Sequence, residues 1–238
     1  MTDVLRKTMK TIGLIGGMSW ESTLPYYRIV NETIRDRLGG FHSAKLVLYS
    51  VDFHEIERMQ RDSDWESAGK VLADAARVVE TAGAHFIVLC TNTMHRVFPA
   101  IEAAVSVPLL HIADPTAEAI KMAGFRTIGL LGTAFTMEQP FYKDRLSERH
   151  GLRVLVPDEE ARKEIHRVIY DELCLGKIQP ASRELYRNAM ATLVTRGAEA
   201  IILGCTEISL LVSSQDATVQ LFDTTEIHAR RAAESALL

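Results

Sequence analysis

Two short segments place reactive side chains directly after apolar runs. The first, FIVLCTNTMH from Phe86, passes from a strand-like run into a thiol, two hydroxyls and an amide. The second, AIILGCTEI from Ala200, passes from a similar run into the thiol of Cys205. An offset of 114 residues aligns the two segments, and under it Thr91 corresponds to Cys205. Two proton-transfer groups that approach one carbon from opposite sides suit inversion at a carbon acid, so this pairing predicts that chemistry.

The same residues also allow a purely structural interpretation. Cys205 precedes TEISLLV, so it is either a thiol whose pKa is lowered at a strand-to-helix turn or a small buried hydrophobic residue. Thr91 has no useful basicity near neutral pH, but its hydroxyl can donate a proton or hold a water that does. Cys90 and Cys174 are expected to pack in the core.

Alternating patterns predict the elements that position these side chains. Short apolar runs alternate with segments whose apolar residues recur every three or four positions, which is typical of a mostly parallel sheet flanked by helices. Two of the predicted helices end at a glycine, Gly83 and Gly197. The predicted strands are TIGLIG from Thr11, KLVLYSV from Lys45, HFIVLC from His85, TIGLLG from Thr127, LRVLVP from Leu152 and AIILGC from Ala200.

An internal repeat organises the chain into two halves. TIGLIGGMSWESTLPYY from Thr11 aligns with TIGLLGTAFTMEQPFYK from Thr127 at an offset of 116 residues, close to the offset of the thiol segments. The repeat predicts an α/β fold of two pseudo-symmetric lobes, 10–114 and 115–223, with a C-terminal helix at 224–238 packing back on the first lobe. Ligands bind beyond the carboxyl ends of strands in open α/β sheets, so the active site is predicted in the interlobe cleft.

The composition disfavours several function classes. The 238 residues carry a formal net charge of −4, which provides no basic face for nucleic acid or anionic lipid. No apolar run approaches the roughly 18 to 20 residues that a membrane-spanning helix needs, and a cytoplasmic location is expected. The three cysteines form no C-x-x-C pair and the histidines no H-E-x-x-H pair, so no metal site is predicted.

Four motifs together resemble the aspartate/glutamate racemase family. They are IGLIGGMSWESTLPYY, the TNT of residues 91–93, LGTAFTM and GCTEI. The resemblance implies a homodimer without pyridoxal phosphate or metal, in which one cysteine from each lobe moves the α-proton. The family's first-lobe cysteine falls on Thr91 here, and its second-lobe cysteine falls on Cys205. The chain is similar in this to the L-aspartate/glutamate-specific subgroup, which implies that Cys205 deprotonates the L-enantiomer while Thr91, or a water it orders, protonates the other face.

Two loops are predicted to bind carboxylate groups of the substrate. The loop at Gly17 and Met18 and its repeat counterpart at Thr133 each follow a strand and open a helix, where backbone N–H groups favour anions. The first loop does not fit the G-x-G-x-x-G pattern of dinucleotide-binding proteins.

The resemblance implies the remaining substrate contacts. A distal carboxylate needs a cation, and Lys163 in EEARKEIHRVIYDEL is predicted because family members place a lysine of this helix in the cleft; a solvated charged face is the alternative. Ser50 and His54 stand near the position where other aspartate racemases have an arginine. The other predicted substrate-binding residues are Asn92, Thr93, Thr206 and Glu207.

The sequence therefore predicts a cofactor-independent racemase of L-aspartate or L-glutamate, and two rivals stay open. A hydantoin racemase or related isomerase of the same superfamily would use the same cleft on another substrate, and a neutral hydantoin would need no distal cation. A non-catalytic small-molecule binding protein shares the architecture of two lobes around a cleft.

Overall fold

The described chain contains two sheets of four parallel strands each. The computed structural model describes residues 9–238. Every strand pair in it is parallel, which suits the βα repeats that the sequence patterns predict. The strands are β1 (Ile12–Gly16), β2 (Leu46–Ser50), β3 (Phe86–Leu89), β4 (Leu109–Leu110), β5 (Thr127–Gly132), β6 (Arg153–Leu155), β7 (Ala200–Gly204) and β8 (Gln220–Asp223).

The two sheets have the same strand order. The first runs β2-β1-β3-β4 and the second β6-β5-β7-β8, so each strand of one sheet has a counterpart four places later in the chain. This matches the repeat in the sequence, and the predicted α/β fold of two similar parallel sheets is confirmed. β3 and β7, which precede the two thiol segments, lie between neighbours in their sheets and are buried throughout.

Helices connect and cover the strands. No helix within residues 9–238 is both long and apolar enough to cross a membrane. The helices are α1 (Trp20–Leu38), α2 (Phe53–Arg61), α3 (Trp65–Thr81), α4 (Phe98–Glu102), α5 (Ala113–Met122), α6 (Ala134–Glu138), α7 (Pro140–Asp144), α8 (Glu159–Asp171), α9 (Pro180–Thr195), α10 (Ile208–Leu211) and α11 (Thr224–Ala236).

The helices α3 and α9 end as their glycines predict. The N–H of Gly83 donates to Glu80 O at 2.9 Å and the next N–H, of Ala84, reaches Val79 O at 3.1 Å. This pair of bonds is a Schellman motif, which needs a positive φ at the glycine; Gly83 has φ 95°. Gly197 ends α9 with the same two bonds and a φ of 97°.

The helix α11 follows the second sheet in the chain and packs against the first. Its buried alanines join a core cluster with residues of β1, β3 and α1. The backbone N–H of Lys10 also donates to Ala236 O at 2.9 Å. The chain therefore returns to its first sheet before it ends, and this crossing holds the two halves together. The alanines are Ala229, Ala232, Ala233 and Ala236.

Candidate active site

The loops after β1, β3, β5 and β7 meet helices α2 and α8 around a small cavity. Its volume is about 20 Å³, which is room for a single water molecule. Thr91 from the first half and Cys205 from the second both line it, as the aligned thiol segments predict. The lining residues are Met18, Phe53, Gln60, Thr91, Asn92, Thr93, Thr133, Ile169, Tyr170, Cys174, Cys205, Thr206 and Glu207.

The Glu207 carboxylate accepts four hydrogen bonds at this cavity. Its Oε1 accepts from the backbone N–H of Ser19 at 3.0 Å and from Ser19 Oγ at 2.8 Å. Its Oε2 accepts from Cys205 Sγ at 3.0 Å and from Thr206 Oγ1 at 2.8 Å. A side chain that is 1% exposed and accepts from four donors is held rigidly, and an ionised carboxylate satisfies such a set.

The Cys205 thiol is protonated in this arrangement. Burial, followed by the negative charge of Glu207, raises the pKa of Cys205 well above its ordinary value. This is opposite to the lowered pKa expected of a thiol at a strand-to-helix turn. The reason is that α10 is a single short turn, while a carboxylate lies two residues away on the same loop. The proton acceptor nearest to the thiol is therefore Glu207.

The first half contributes hydroxyls and an amide to the cavity. Thr93 Oγ1 lies 2.9 Å from Thr133 Oγ1, so the two halves are joined by a hydrogen bond at the cavity itself. Asn92 Nδ2 donates to Thr224 Oγ1 at 3.0 Å, whereas Asn92 Oδ1 is buried and accepts from no donor of the described residues. A buried acceptor without a partner is costly, so this oxygen is suited to accept from a bound molecule.

His95 fixes the backbone of Thr91. Its Nε2 accepts from the N–H of Ile112 at 3.1 Å, which leaves the proton on Nδ1, and Nδ1 then donates to Thr91 O at 2.8 Å. Burial, followed by nearby His228, lowers the pKa of His95 to about 3, so the ring is neutral. His95 therefore stabilises the conformation of the loop that follows β3 and carries Thr91. Among the described residues, no group of three His, Cys, Asp or Glu side chains is arranged to hold a metal ion.

Two predicted contacts in the first half do not line the cavity. The N–H of Gly17, which is predicted to bind a substrate carboxylate, donates to Thr23 Oγ1 of helix α1 at 2.8 Å. Gly17 has φ 90°, and a Cβ there would come within 2.3 Å of Val51 O, which explains the glycine by backbone packing. Ser50 ends β2 beside Gly17 and is exposed. Met18, in the same loop, does line the cavity.

Lys163, which is predicted to contact a distal carboxylate, lies outside the cavity. Its Nζ pairs with Glu159 Oε1 at 2.6 Å and its side chain is 72% exposed. Tyr170 does reach the cavity from α8, and Lys163 stands seven residues before it, which is about 10 Å along a helix axis.

Several lining residues were not predicted from the sequence. Tyr170 OH donates to Gln60 Oε1 at 2.7 Å, and its ring stacks on Phe53 with centroids 6.3 Å apart. These contacts join α2 to α8 across the cleft and close the cavity. Ile169 and Cys174, beside Tyr170, complete this wall. The apolar spacing within IHRVIYDEL was the available signal for Ile169 and Tyr170.

The thiols differ sharply in position. Cys90 is fully buried in the core of the first sheet, where its Sγ lies 3.8 Å from Val88 O. Cys174 packs against the core of the second half as expected, and it also lines the cavity. Burial, followed by the charge of Glu207, raises the pKa of Cys174 as it does that of Cys205.

The sequence pattern of the Asp/Glu/Hydantoin racemase family matches residues 15–232. The chain belongs to this family. Racemase relatives share both its sequence and its fold. The broad-specificity amino-acid racemase RacX of Bacillus subtilis is 24% identical over 220 residues, which are 90% of this chain and 92% of RacX.

Two solved structures of this racemase family extend the likeness. A Yersinia pestis protein described as a candidate Asp/Glu racemase is 57% identical, with a TM-score of 0.89 over 97% of this chain and 100% of its own. An aspartate racemase homologue from Pyrococcus horikoshii is 39% identical, with a TM-score of 0.81 over 96% of this chain and 99% of its own. The relatives named as racemases are isomerases. A cavity lined by both halves of the fold is consistent with an amino-acid racemase of this family.

Proposed function

We propose that this protein is an amino-acid racemase that moves the α-proton with its own side chains, Cys205 acting on one face of the α-carbon and Thr91 on the other. The single observation that carries the proposal is that these two residues, one from each half of a repeated fold, line the same closed cavity. A carbon held between two such groups can lose a proton to one and gain a proton from the other.

The binding part of the proposal uses the unpaired polar groups of the cavity. Asn92 Oδ1 is a buried acceptor with no donor among residues 9–238, and an α-ammonium supplies one. The hydroxyls of Thr93 and Thr133, which bond each other, are donors for the α-carboxylate, and both residues line the cavity. The substrate therefore replaces hydrogen bonds that the closed cavity leaves unmade or makes only between hydroxyls.

The proton-transfer part begins from a protonated thiol. The α-ammonium brings positive charge beside Cys205 and favours the thiolate, and Glu207, which already accepts the S–H hydrogen bond, takes the thiol proton. The thiolate then takes the α-proton of the L-enantiomer, and the electron pair of the C–H bond stays on carbon. The hydroxyl of Thr91, or a water that it orders, returns a proton to the opposite face. Solvent then re-protonates that oxygen, and Glu207 releases the thiol proton to solvent, which restores the starting state.

The proposed preference for L-substrates is a kinetic statement. Free enantiomers have an equilibrium constant of one, so kcat/KM must be equal in the two directions. A hydroxyl is a poorer base than a thiolate, which lowers kcat in the D-to-L direction, and KM in that direction must fall in proportion to keep the equality. Homodimer formation and a cytoplasmic location remain predictions.

Acidic amino acids are the substrates that the resemblance to aspartate and glutamate racemases implies. Lys163, the cation predicted to hold the distal carboxylate, lies outside the cavity. The side-chain preference is therefore a separate question from the proton-transfer chemistry.

Exchange of the α-hydrogen with solvent deuterium tests the proposal. We expect the wild-type protein to exchange the α-hydrogen of at least one L-amino acid, and Cys205→Ser to lose at least about a hundredfold of that rate, since one general base contributes that much or more. Cys90→Ser is the matched control, because its thiol lies in the core outside the cavity. Exchange that survives in Cys205→Ser, or no exchange by the wild type with any amino acid, would refute the proposal.

A further inference from the structure

His166 of α8 is a partly buried histidine that the proposed proton transfer does not use. It lines an outer cavity of about 440 Å³, which shares Gln60 and Tyr170 with the cavity of Cys205 and Thr91. Its ring centroid lies 4.7 Å from that of Tyr170 and 5.7 Å from that of Phe135. The imidazole is therefore held between two rings just outside the catalytic cavity, where solvent protons still reach it.

The ring of His166 accepts a hydrogen bond from the start of helix α6. The backbone N–H of Ala134 donates to His166 Nδ1 at 3.1 Å. Nδ1 therefore carries no proton, and the neutral ring carries its proton on Nε2. Ala134 is the first residue of α6, and the first N–H groups of a helix have no acceptor within the helix. His166 supplies the acceptor that the helix lacks.

This hydrogen bond fixes the peptide group between Thr133 and Ala134. The carbonyl of Thr133 accepts from the N–H of Met137 at 2.9 Å, while the N–H at the other end of the peptide donates to His166. The Thr133 side chain points into the catalytic cavity, where its Oγ1 lies 2.9 Å from Thr93 Oγ1. His166 thus helps to set the orientation of a hydroxyl that it does not touch.

The contact requires the neutral form of His166, because a protonated ring has no acceptor. Burial lowers the pKa of His166 from its ordinary value of 6.5, while two nearby carboxylates act in the opposite direction. The hydrogen bond is therefore present at neutral pH and is lost as pH falls through the lowered pKa. The charged groups that face the ring are Glu138 of α6, Arg167 and Asp171 of α8, and Glu57 and Arg61 of α2.

We infer that His166 is a positioning residue of the racemase site, which holds the peptide of Thr133 and Ala134 so that the Thr133 hydroxyl can bind the substrate α-carboxylate. This inference rests on the proposed function and adds a residue that acts through another. The α-carboxylate is bound in the ground state and in the transition state alike. Loss of the contact is therefore expected to raise KM and to leave kcat nearly unchanged.

Two variants of the full chain test the role of the acceptor. His166→Asn places Oδ1 near the position of Nδ1 and keeps an acceptor that does not titrate, whereas His166→Leu removes it. For α-hydrogen exchange at pH 7.5 we expect KM to rise about fivefold in His166→Leu, the effect of one neutral hydrogen bond, and to stay within about twofold in His166→Asn. We expect kcat to stay within about twofold in both.

The matched control is His42→Asn, which changes an exposed histidine before β2 and should leave KM and kcat at wild-type values. A wild-type KM in His166→Leu, an equal rise of KM in both His166 variants, or a fall of kcat without a change of KM would overturn the inference.

The pH dependence separates positioning from a merely structural role. Effects of pH on the other groups of the site are common to the wild type and His166→Asn, so they cancel in the ratio of the two KM values. We expect the ratio of wild-type KM to His166→Asn KM to rise by up to about fivefold as pH falls from 7.5 to 5.0. A ratio that stays constant over this range would contradict the inference.

Hydrogen exchange of the Ala134 amide separates failure of the inference from failure of the proposed function, because it needs no activity. We expect this amide to exchange about fivefold faster in His166→Leu than in the wild type or His166→Asn. If the wild type acts on an amino acid but neither KM nor the amide responds to His166→Leu, the inference alone is wrong. If the wild type acts on no amino acid, the function fails and the inference fails with it, whatever the amide shows.

Discussion

At the scale of single residues, the site depends on how Glu207 and Cys205 share a proton. The position of Cys205 and Thr91 could be predicted from the sequence, because polar residues that follow buried parallel strands meet at one edge of the sheet. The role of Glu207 could not, since Ser19, which donates two hydrogen bonds to it, is 188 residues away in the chain. The raised pKa of the thiol follows from that unpredicted cluster.

The variant Glu207→Gln separates two effects of the carboxylate: it raises the pKa of the Cys205 thiol, and it accepts the thiol proton. Removing its negative charge should lower the pKa of Cys205, because that charge is one of the causes that raise it. We expect the pH midpoint of Cys205 alkylation by iodoacetamide to move down, while α-proton exchange falls by about tenfold or more because the thiol has lost its proton acceptor. Mass spectrometry of the labelled peptide measures the first effect.

The control for this variant is Glu159→Gln, which removes an exposed carboxylate on α8. Both readouts should stay at wild-type values there. An upward shift of the alkylation midpoint in Glu207→Gln, or exchange at the wild-type rate, would contradict the assigned role.

At the scale of elements, α2 and α8 close the cleft over the strand ends. The sequence predicts helix α8, in EEARKEIHRVIYDEL, and the ends of α3 and α9 at Gly83 and Gly197, but it gave no prediction of α2. The contact between α2 and α8 could not be predicted, because periodicity gives the buried face of a helix without its height relative to a neighbour. For the same reason the sequence did not show that Lys163 pairs with Glu159 outside the cavity.

The variant Tyr170→Phe tests whether the hydrogen bond between α8 and α2 keeps the cleft closed. The variant keeps the ring that stacks on Phe53 and removes the hydroxyl that donates to Gln60. One neutral hydrogen bond contributes about 1 kcal/mol, so we expect the open form to become roughly fivefold more populated and Cys205 to be alkylated about fivefold faster at constant pH.

Tyr142→Phe is the matched control for that experiment. Tyr142 is buried, lies outside the cavity, and its hydroxyl has no hydrogen-bond partner among the described residues. The rate of Cys205 alkylation in Tyr142→Phe should equal that in the wild type. Equal rates in Tyr170→Phe and the wild type would mean that the hydrogen bond does not limit access.

At the scale of the whole molecule, the two halves are held together at the cavity lined by Thr91 and Cys205 and through α11. Hydrogen bonds from Ser19 to Glu207 and from Thr93 to Thr133 cross between them, and Asn92 donates to Thr224 at the start of α11. The repeat in the sequence predicted two similar halves. It could not predict these ties, which join positions that differ between the repeats.

Acid should weaken the fold through buried neutral histidines near this junction. His228 of α11 accepts from Tyr26 OH of α1 at 3.0 Å, and burial lowers its pKa to about 4, as burial lowers that of His95 to about 3. Folded-state pKa values below the unfolded value of about 6.5 give stability that is complete above pH 6.5 and lost as pH falls toward 4.

We expect each of these two histidines to reduce the free energy of unfolding by about 1 kcal/mol per pH unit below pH 6. Urea unfolding at pH 7.5, 6.0 and 5.0 measures the slope, and His228→Gln should make it shallower. A free energy of unfolding that is constant over this range would contradict the neutral, buried state of the histidines.

The central claim is that Cys205 and Thr91 transfer protons on opposite faces of the substrate α-carbon. The variant Thr91→Val tests this claim most directly. L-substrate is incubated in deuterium oxide, and deuterium in the recovered L-enantiomer is measured together with formation of the D-enantiomer. The account predicts that Thr91→Val still incorporates deuterium into the L-enantiomer through Cys205 but forms D-product at least about a hundredfold more slowly than the wild type. Formation of D-product at the wild-type rate by Thr91→Val would contradict it.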